Sequence, residues 1–397
     1  MINNFSASEN SPAVSGITRI KIEGFRRLRN VETQMSKFMV LIGANGSGKT
    51  SFLDALEILS ASASGKLSDT LSDAGGISSL LTRGKSNTLS LSIDMDVPGH
   101  KPLCYCLRLV PQGMGYAIAE EQLSQQRDDD LYERPFMHIY ARFGNVKYFD
   151  PDTGRLEHPY WDYNPAETAL SQVPKMFRQS ESFRKVLASA TKYHSLDVSK
   201  NAPVKMPQVL RPSSLPGANG EELLSLLFSL KEGTPERFET ITNSLRAAFP
   251  GFDELNFPPV AAGMLAMTWK DKNFPQTIYA NELSEGILRF LWLTALLQSP
   301  GLSAITMIDE PEVSLHPELL DLLSQLMRES SADTQIIAAT HSDRFVRFLQ
   351  PEEVYIADID EEGETTITRA DSLNLEEWMR DYSLDELWQM GTLGGRS

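Results

Sequence analysis

The sequence is short of cysteine, of positive charge and of long apolar runs. Its 397 residues include two cysteines, Cys104 and Cys106 in "PLCYCLRLV", and their two-residue spacing places both on one face of a predicted strand. Neighbours on one face of a single strand do not favour a disulfide bond. We therefore expect a reduced pair in the core, in a protein from a reducing compartment.

Positive charge is scarce as well. The chain has 37 lysines and arginines against 53 aspartates and glutamates, which gives a formal net charge of −16. Proteins that coat nucleic acid nonspecifically need clustered cations, so this composition excludes that class but leaves room for a local basic patch. The candidates for such a patch are Arg26, Arg27 and Arg29 in "IEGFRRLRN" and the region around Lys185 and Lys192.

No segment has the pattern of a targeting signal or a membrane anchor. The first residues, "MINNFSASENSPAVSG", have neither a basic start nor an apolar core. No apolar run approaches the ~20 residues that cross a bilayer. Because 41% of the residues are hydrophobic, the chain can bury a large core. We expect a soluble, cytoplasmic protein without a membrane partner, with residues 1–16 as a disordered tail.

In the first half of the chain, apolar patterns predict strands and one helix, and between them lie segments with little periodicity. "ITRIKIEGF" alternates as a strand does, "FMVLIG" is a continuous apolar strand, and a helix is expected from Thr50 through "SFLDALEIL". The composition of "SASASGKLSDTLSDAGG" predicts a mobile loop. "TLSLSIDMDV" and "LCYCLRLV" then predict an antiparallel pair. From Gln112 to Pro216 the pattern weakens, apart from one helix around "SESFRKVLASATKY", which indicates an insertion or a second lobe.

The last part of the chain has regular patterns again. "EELLSLLFSL" and "ERFETITNSLRAAF" have helical periodicity, and strands and helices then alternate through "AITMIDE", "PELLDLLSQLMRES", "TQIIAATHS" and "EEVYIADID". This alternation predicts an α/β fold with a mostly parallel sheet and helices on its faces.

"GANGSGKT" lies between an apolar strand and a helix and matches the phosphate-loop pattern G-x-x-x-x-G-K-[ST]. Successive backbone N–H groups of such a loop form an anion nest. Lys49 is expected to reach the β- and γ-phosphates, and the Thr50 hydroxyl to ligate Mg²⁺. The predicted nucleotide-binding residues here are Gly43, Ala44, Asn45, Gly46, Ser47, Gly48, Lys49, Thr50 and Ser51.

Two later strands end in residues suited to hydrolysis. "AITMIDE" ends in Asp309, which suits a Mg²⁺ carboxylate, and Glu310, which can orient or deprotonate the attacking water. "TQIIAATHS" brings His341 to a strand end, where a neutral imidazole can hydrogen-bond the γ-phosphate or the water. A strand that ends in acids is common on its own. In an open α/β sheet, however, ligands bind beyond the carboxyl ends of the strands, where all these residues are expected to meet.

A second anion-binding feature is "LSEG", directly before the apolar helix "ILRFLWLTALL". Ser284 is a good N-cap, Gly286 allows close approach of the backbone, and a helix N-terminus attracts anions. One phosphate loop serves one nucleotide, so this second feature has no phosphate of its own. A symmetric dimer, in which each subunit's helix caps its partner's γ-phosphate, accounts for both features.

The ordered set "GANGSGKT", "LSEG", "IDEPEVSLHP" and "ATHS" resembles the ABC-type ATPases of the RecF/SMC/Rad50 branch. More narrowly it is similar to the stand-alone AAA15/AAA21-type ATPases related to the ATPase half of OLD-family nucleases. The resemblance implies a P-loop NTPase with an ABC-ATPase-like mixed sheet core flanked by helices and interrupted by a middle insertion. It implies ATP and Mg²⁺ as cofactors and ATP hydrolysis as the activity.

The same resemblance assigns the motifs. It makes residues 43–50 Walker A, 283–286 the signature, Asp309 and Glu310 Walker B, "PEVSLHP" the D-loop and His341 the switch histidine. Arg26 and Arg27 become candidate nucleotide contacts, with a solvated turn as the alternative. No glutamine between Ser64 and Asp94 marks a Q-loop.

Domain boundaries and partners also follow from the resemblance. Residues 17–111 and 217–397 are expected to form two parts of an ATPase domain around an insertion at 112–216. The partners implied are a second copy of the chain, joined head to tail when ATP is bound, and either DNA or a separate effector protein. Such a nucleotide-gated dimer clamp belongs to DNA repair or to defence against phages or plasmids, and the residues do not decide between the two.

Two other functions are less well supported. Asp358 and Asp360 in "IADIDEEGE" have the D-x-D spacing of a nuclease metal site, but a strand that runs into an acidic turn explains them better, and we expect any nuclease on a separate polypeptide. A small-molecule kinase or GTPase needs neither "LSEG" nor the histidine, and the sequence has no N-K-x-D motif for base recognition.

Overall fold

The structure is a computed structural model that describes residues 16–97, 100–126, 135–375 and 377–394. The predicted disordered tail therefore lies outside the described residues, except for Gly16. The strands are β1 (Gly16–Phe25), β2 (Leu28–Gln34), β3 (Phe38–Ile42), β4 (Leu89–Asp96), β5 (Leu103–Gln112), β6 (Gly115–Gln125), β7 (Phe136–Arg142), β8 (Asn145–Asp150), β9 (Arg155–Glu157), β10 (Thr191–Tyr193), β11 (Gln208–Val209), β12 (Phe252–Asn256), β13 (Met264–Leu265), β14 (Thr268–Asp271), β15 (Ile278–Tyr279), β16 (Ile305–Asp309), β17 (Gln335–Ala339), β18 (Val354–Ile359) and β19 (Thr365–Arg369).

Helices lie in several of the connections between these strands. The α-helices are α1 (Lys49–Ser64), α2 (Leu67–Asp73), α3 (Ile77–Leu80), α4 (Arg178–Ser189), α5 (Leu223–Gly233), α6 (Pro235–Ala248), α7 (Glu285–Leu297), α8 (Leu319–Ser330), α9 (Asp343–Val346) and α10 (Leu384–Gln389). Short 3₁₀ helices lie at Pro203–Lys205, Ala261–Gly263, Ala280–Glu282, Pro351–Glu353, Ala370–Leu373 and Trp378–Arg380. None of the helices among the described residues is long and apolar enough to cross a membrane.

The chain divides into two compact units, each assembled from separate stretches. The first unit comprises Met1–Arg26, Glu32–Met35 and Ile58–Ser189. The second comprises Arg27–Val31, Ser36–Glu57 and Ala190–Ser397. The phosphate loop, the signature and the strand ends with Glu310 and His341 all belong to the second unit.

One sheet has eight strands in the order β2-β1-β4-β5-β6-β7-β8-β9, of which β1 and β4 to β9 lie wholly in the first unit. The predicted antiparallel pair of β4 and β5 is present. Tyr105 and Leu107 on β5 are fully buried, whereas Cys104 and Cys106 are free and half-buried. The cysteines are thus reduced as expected, but they are not a core pair, because they alternate with the residues that face the core. Burial raises the pKa of the Cys104 thiol to about 12.

The segment predicted as a mobile loop is helical instead. Helix α1 continues to Ser64, and α2 and α3 follow it. Leu67, Leu71, Ile77 and Leu80 on these two helices are all buried. The prediction was wrong because the burial of these apolar side chains outweighs the low helix propensity of the surrounding serines and glycines.

The region after Gln112 continues the same sheet through the antiparallel strands β6 to β9. A buried carboxylate attaches the following loop to this sheet: Glu121 accepts hydrogen bonds from the Ala169 N–H at 2.7 Å, the Leu170 N–H at 2.8 Å and the Tyr105 hydroxyl at 3.1 Å. Desolvation raises the pKa of Glu121 to about 7, against the effect of these donors. The helix predicted around residue 185 ends at Ser189.

The second unit contains a six-stranded sheet of order β10-β16-β17-β3-β18-β19. In this sheet order, the four neighbouring pairs that join β10, β16, β17, β3 and β18 are parallel, and only the pair of β18 and β19 is antiparallel. The predicted mostly parallel sheet is confirmed. Helices α5 to α8 contribute to its large apolar core, and α7 is buried along most of its length. The carboxyl ends of β3, β10, β16 and β17 therefore lie at one edge of this sheet.

Candidate nucleotide-binding and catalytic site

The phosphate loop connects the fully buried strand β3 to α1. Gly43, Gly46 and Gly48 have φ values of +151°, +79° and +102°, which side chains rarely adopt. A Cβ atom on Gly43 would lie 2.2 Å from the Ala357 carbonyl oxygen, and one on Gly48 would lie 2.6 Å from the Thr365 hydroxyl oxygen. The loop conformation therefore requires glycine at these positions.

Lys49 lies inside the curve of this loop. It is 9% exposed, and its Nζ donates to the carbonyl oxygens of Gly43 at 2.7 Å and Ala44 at 2.8 Å. Desolvation lowers the pKa of Lys49, and the carboxylates of Glu310, Asp309 and Glu312 act in the opposite direction. The buried Ser47 hydroxyl has no hydrogen-bond partner among the described residues. A buried ammonium and an unpaired hydroxyl in a glycine-lined nest fit a nucleotide phosphate.

Thr365, at the start of β19, supports the loop from outside. Its hydroxyl donates to the Ser47 carbonyl oxygen at 2.8 Å, and its N–H donates to the Arg27 carbonyl oxygen at 2.9 Å. No sequence motif points to Thr365, since a contact across 318 positions leaves no local pattern. Only the pairing of β18 with β3 brings Thr365 to the loop.

Asp309 lies beside Thr50, as the sequence analysis predicts. Desolvation raises the pKa of Asp309, whereas the positive charge of Lys192 and a hydrogen bond with the Thr50 side chain lower it. Asp309 and Thr50 are the two side chains that would hold Mg²⁺. His194, which follows β10, also lowers the pKa of Asp309 by its charge, so the end of β10 faces the same acid.

The side chain of Lys192 is buried and is not part of a basic surface. Its side chain is 3% exposed and forms ion pairs with Asp54 and, at 3.6 Å, with Glu57. The prediction that it contributes to a surface patch for nucleic acid was wrong. The reason is that the chain around Lys192 forms β10, beside β16, rather than the end of a surface helix.

Glu310 and His341 meet beyond the strand ends. His341 Nδ1 lies 3.1 Å from a carboxylate oxygen of Glu310, and both side chains are nearly half exposed. Glu310 has a φ of +54°, and its N–H donates to the Ala339 carbonyl oxygen at 2.8 Å. A cross-strand hydrogen bond thus holds a strained backbone conformation at the residue whose carboxylate contacts His341. The pair combines a proton acceptor with an imidazole that can donate to a phosphate oxygen.

Glu312 joins the two turns that carry this pair. It is buried, and one carboxylate oxygen accepts a hydrogen bond from the Thr340 hydroxyl. The Thr340 hydroxyl oxygen in turn accepts the Ser342 N–H at 3.0 Å. Desolvation raises the pKa of Glu312. Glu312 is not among the predicted site residues, although a second acid so close after Walker B is a visible signal in the sequence.

The signature residues lie at the start of α7. Ser284 caps the helix by accepting the Ile287 N–H at 3.4 Å. Glu285 accepts hydrogen bonds from Arg289 and from the Ser314 hydroxyl, both at 2.8 Å. A Cβ atom on Gly286 would lie 2.9 Å from the Ser314 carbonyl oxygen, so glycine lets the D-loop of the same chain come close.

The remaining predicted residues are Arg26 and Arg27 in the turn between β1 and β2, and Arg29 at the start of β2. Arg26, in the first unit, has its guanidinium 5.1 Å from the Phe25 ring centroid, and its contact with nucleotide stays a prediction. Arg27 donates to the Gly363 carbonyl oxygen at 3.5 Å, and Arg29 pairs with Glu364 at 2.8 Å. Both contacts are with the turn between β18 and β19.

The acidic turn explains the D-x-D pattern. Asp360 accepts the backbone N–H groups of Glu362 at 3.0 Å and Glu364 at 2.8 Å, and Asp358 accepts the Ile359 N–H at 2.8 Å. Within the described part of the chain, no group of three or more His, Cys, Asp or Glu side chains could hold a metal ion. The turn interpretation therefore has direct support, and the nuclease alternative has none here.

The sheet order, the phosphate loop after β3 and the acid-ended strand β16, which β17 separates from β3, define a P-loop ATPase domain of the ABC type. The family model described as "AAA domain, putative AbiEii toxin, Type IV TA system" matches residues 143–347, which is 205 of the 397 residues when both ends are counted. The chain belongs to this family. A model described as "AAA ATPase domain" matches residues 16–110. No curated protein matches the chain.

Solved structures of Smc head domains have a similar fold. A head bound to the C-winged helix domain of ScpA has a TM-score of 0.55 and 18% identity, over 92% of this chain and 99% of that one. A head from Pyrococcus furiosus, with an extended coiled coil and bound to the C-terminal domain of ScpA, has a TM-score of 0.53 and 15% identity, over 92% and 100%. A head with coiled coil and joint from Pyrococcus yayanosii has a TM-score of 0.50 and 13% identity, over 92% and 100%. At these identities the similarity shows the fold, and it confirms the predicted fold class.

Proposed function

We propose that this protein binds ATP with Mg²⁺ and hydrolyses the γ-phosphate bond. The observation that carries the proposal is the Glu310–His341 pair, 3.1 Å apart, at the sheet edge that also holds Lys49, Thr50 and Asp309. The phosphate loop and Lys49 bind the phosphates, and Thr50 and Asp309 hold the metal. Bound Mg²⁺ supplies charge neutralisation and orientation of the phosphates. Glu310 accepts the proton of the attacking water, and His341 donates to the phosphate or orients that water.

The signature is proposed to act on a second copy of the chain. Ser284 and Glu285 are exposed at the start of α7, and the first N–H groups of a helix attract a negatively charged ligand. A head-to-tail dimer delivers the partner's γ-phosphate to this helix end when ATP is bound. Each of the two nucleotide sites then contains Walker A and B of one subunit and the signature of the other.

Two biological roles fit this ATPase. One is a nucleotide-gated dimer clamp on DNA in repair or in defence against phages or plasmids. The other is a regulatory ATPase subunit that controls a separate effector such as a nuclease, with little DNA contact of its own. The second role is favoured by the burial of Lys192 and by the pairing of Arg29 with Glu364, because both reduce the basic surface that DNA would need.

Glu310→Gln tests the activity. The variant should bind ATP as the wild type does, while hydrolysis falls by about 100-fold or more, because general-base catalysis contributes ~10²–10⁴. The dimer should accumulate with ATP and Mg²⁺, measured by light scattering after size-exclusion chromatography. Glu318→Gln, at an exposed position beyond the D-loop, is the matched control and should behave as wild type. Hydrolysis by Glu310→Gln at the wild-type rate would remove Glu310 from its proposed role.

DNA binding separates the two roles. A clamp should bind DNA in the presence of ATP, and its affinity should fall steeply between low and physiological salt, because phosphate contacts release counterions. A regulatory subunit should show no binding by fluorescence anisotropy at either salt concentration. Tight, salt-resistant binding without ATP would contradict both descriptions.

A further inference from the structure

A cavity in the first unit combines aromatic rings with carboxylates. Its volume is about 200 Å³, and it lies between the end of the β8–β9 pair and the loop that follows. The side chains that carry the argument are those of Tyr148, Asp152, Glu157, Tyr160, Trp161 and Phe177. They belong to the first unit, whereas the phosphate loop, Asp309 and Glu310 belong to the second.

Three of the aromatic rings pack against one another, and a fourth ring, that of Tyr160, is exposed. Tyr148 is 2% exposed, and its ring stacks on Phe177 with centroids 6.0 Å apart and packs on Trp161 at 5.2 Å. Tyr160 meets Trp161 edge to face at 5.1 Å but is itself 88% exposed. The buried Trp161 indole N–H has no partner among the described residues. Exposed aromatic surface beside a preformed cavity is typical of an interaction site.

Strand register places carboxylates on the same face as the rings. Tyr148 is opposite Glu157, and Asp150 lies two residues after Tyr148 on β8, so all three share one face of the sheet. Asp152 completes the negative rim and donates its N–H to Asp150 at 2.8 Å. Among the described residues that line the cavity there are three carboxylates and no lysine or arginine.

We propose that this cavity binds an arginine side chain of a partner protein. Ring faces and carboxylates both attract a cation, and the planar guanidinium can stack on a ring while it pairs with a carboxylate. The cavity is smaller than the ~300–1,000 Å³ of usual small-molecule sites, so it suits a single side chain. The net charge of −16 favours the approach of a basic partner.

The test uses the full chain labelled with 5-fluorotryptophan and ¹⁹F NMR. The probe is the peptide acetyl-Gly-Gly-Arg-Gly-Gly-amide, compared with the same peptide containing citrulline, which has the shape of arginine without the charge. The arginine peptide should cause a saturable shift of the Trp161 signal, which Trp161→Phe assigns. It should bind about tenfold more tightly than the citrulline peptide, since the cation–π and ion-pair contacts require the charge.

Substitutions around the cavity should weaken binding where they remove a ring or an acid, and should tighten binding where they remove a basic side chain. Tyr160→Leu, and Asp152→Asn combined with Glu157→Gln, should each weaken binding by about fivefold to tenfold. Arg155 lies opposite Asp150 in the register, so Arg155→Gln removes a like charge and should tighten binding by about twofold. Asp73→Asn, at an exposed position at the end of α2 in the same unit, is the control and should leave binding unchanged.

Several results would overturn the proposal. Equal binding of the two peptides, or binding that survives both Tyr160→Leu and the acid substitutions, would rule out a cation site. Tighter binding of tetramethylammonium chloride than of the arginine peptide would make this a site for small organic cations. If Trp161→Phe does not fold, Tyr160→Leu, at an exposed position in contact with Trp161, identifies the ¹⁹F signal of Trp161, because that signal should change its chemical shift in this variant. None of these experiments contains nucleotide, so a failure of the proposed ATPase function leaves their outcome intact.

Discussion

Lys192 carries a charge in the interior of the second unit, close to the acid expected to hold Mg²⁺. Its ion pairs with Asp54 and Glu57 fix its position. Burial of Asp309 raises the pKa of that carboxyl, and the charge of Lys192 lowers it. Lys192 therefore helps to keep Asp309 ionised, which is the form that binds a cation.

Lys192→Met should change the pH dependence of ATP hydrolysis. The substitution keeps an unbranched side chain but removes the charge, so the pKa of Asp309 rises further. Asp309 then becomes protonated at a higher pH as the solution is acidified, and the acid limb of the pH–rate profile should move to higher pH. The free energy of unfolding should also fall by about 1–3 kcal/mol. This is less than for a fully buried ion pair, because Glu57 is exposed.

The control for this experiment is Lys185→Met. Lys185 is an exposed residue on α4 that pairs with Glu181 at 3.6 Å, and its substitution should leave both the profile and the stability nearly unchanged. An unshifted acid limb in Lys192→Met would show that the charge does not act on Asp309.

Residue-level predictions from the sequence succeed where the interaction is local. Lys49 and the carbonyl oxygen of Gly43 are six positions apart, so one short motif contains both. Thr365 supports the same site through a partner 318 positions away. Glu312 lies in the D-loop motif, but its partner Thr340 is 28 positions away, so no short pattern contains either pair. Lys192 was misjudged because its exposure depends on which strand it pairs with.

At the scale of elements, the start of α7 is joined to the loop that follows the catalytic strand. Glu285 binds Ser314, and Gly286 allows the two backbones to touch. Glu310 and Ser314 have positive φ values of 54° and 63°, so the loop is strained at both ends and needs support. The contact with α7 holds the far end of the loop and thereby positions Glu310.

Glu285→Ala and Ser314→Ala should each lower kcat by about threefold to tenfold with little change in KM, since one hydrogen bond contributes ~1 kcal/mol. The double variant should be no slower than the slower single variant, because both substitutions remove the same contact. Steady-state kinetics measure all three. Ser372→Ala, at an exposed position of the 3₁₀ helix Ala370–Leu373, is the control. Additive losses would mean that the two residues act separately.

Element prediction was strongest where strands are buried on both faces. Strands β3, β16 and β17 are nearly continuous apolar runs, as expected for the centre of a parallel sheet. Most of β6 is half-buried, and the buried Glu121 breaks its alternation. A half-covered strand with a buried acid has no clear period, which is why the sequence pattern faded after Gln112.

At the scale of the whole molecule, the shared nucleotide site can be tested by mixing two inactive variants. Ser284→Arg should block the signature but leave its own phosphate loop able to bind ATP. Lys49→Ala should damage the phosphate loop of its own subunit but leave an intact signature, which can complete the partner's nucleotide site. Each variant alone should be inactive. With random exchange about half of the dimers are mixed and each has one intact site, so about a quarter of wild-type activity should return.

The mixing experiment needs a check on dimer formation. If mixed dimers form, bind ATP and complete no single turnover, the signature does not act on the partner's nucleotide. A mixture of Lys49→Ala with Glu310→Gln is the matched control, because both substitutions damage the same half of the site. That mixture should recover no activity at any ratio.

The position of β3 between β17 and β18 has a consequence for how the protein is made. The strand that leads into the phosphate loop begins at Phe38, and its hydrogen-bonded neighbours begin at Gln335 and Val354. At ~5–20 residues per second, a ribosome needs about 15–60 s to synthesise the chain between them. During that interval the nascent chain exposes a fully apolar strand without its partners. We therefore expect a ribosome-bound chain to acquire affinity for ATP only after β18 has emerged, and to need protection from aggregation until then.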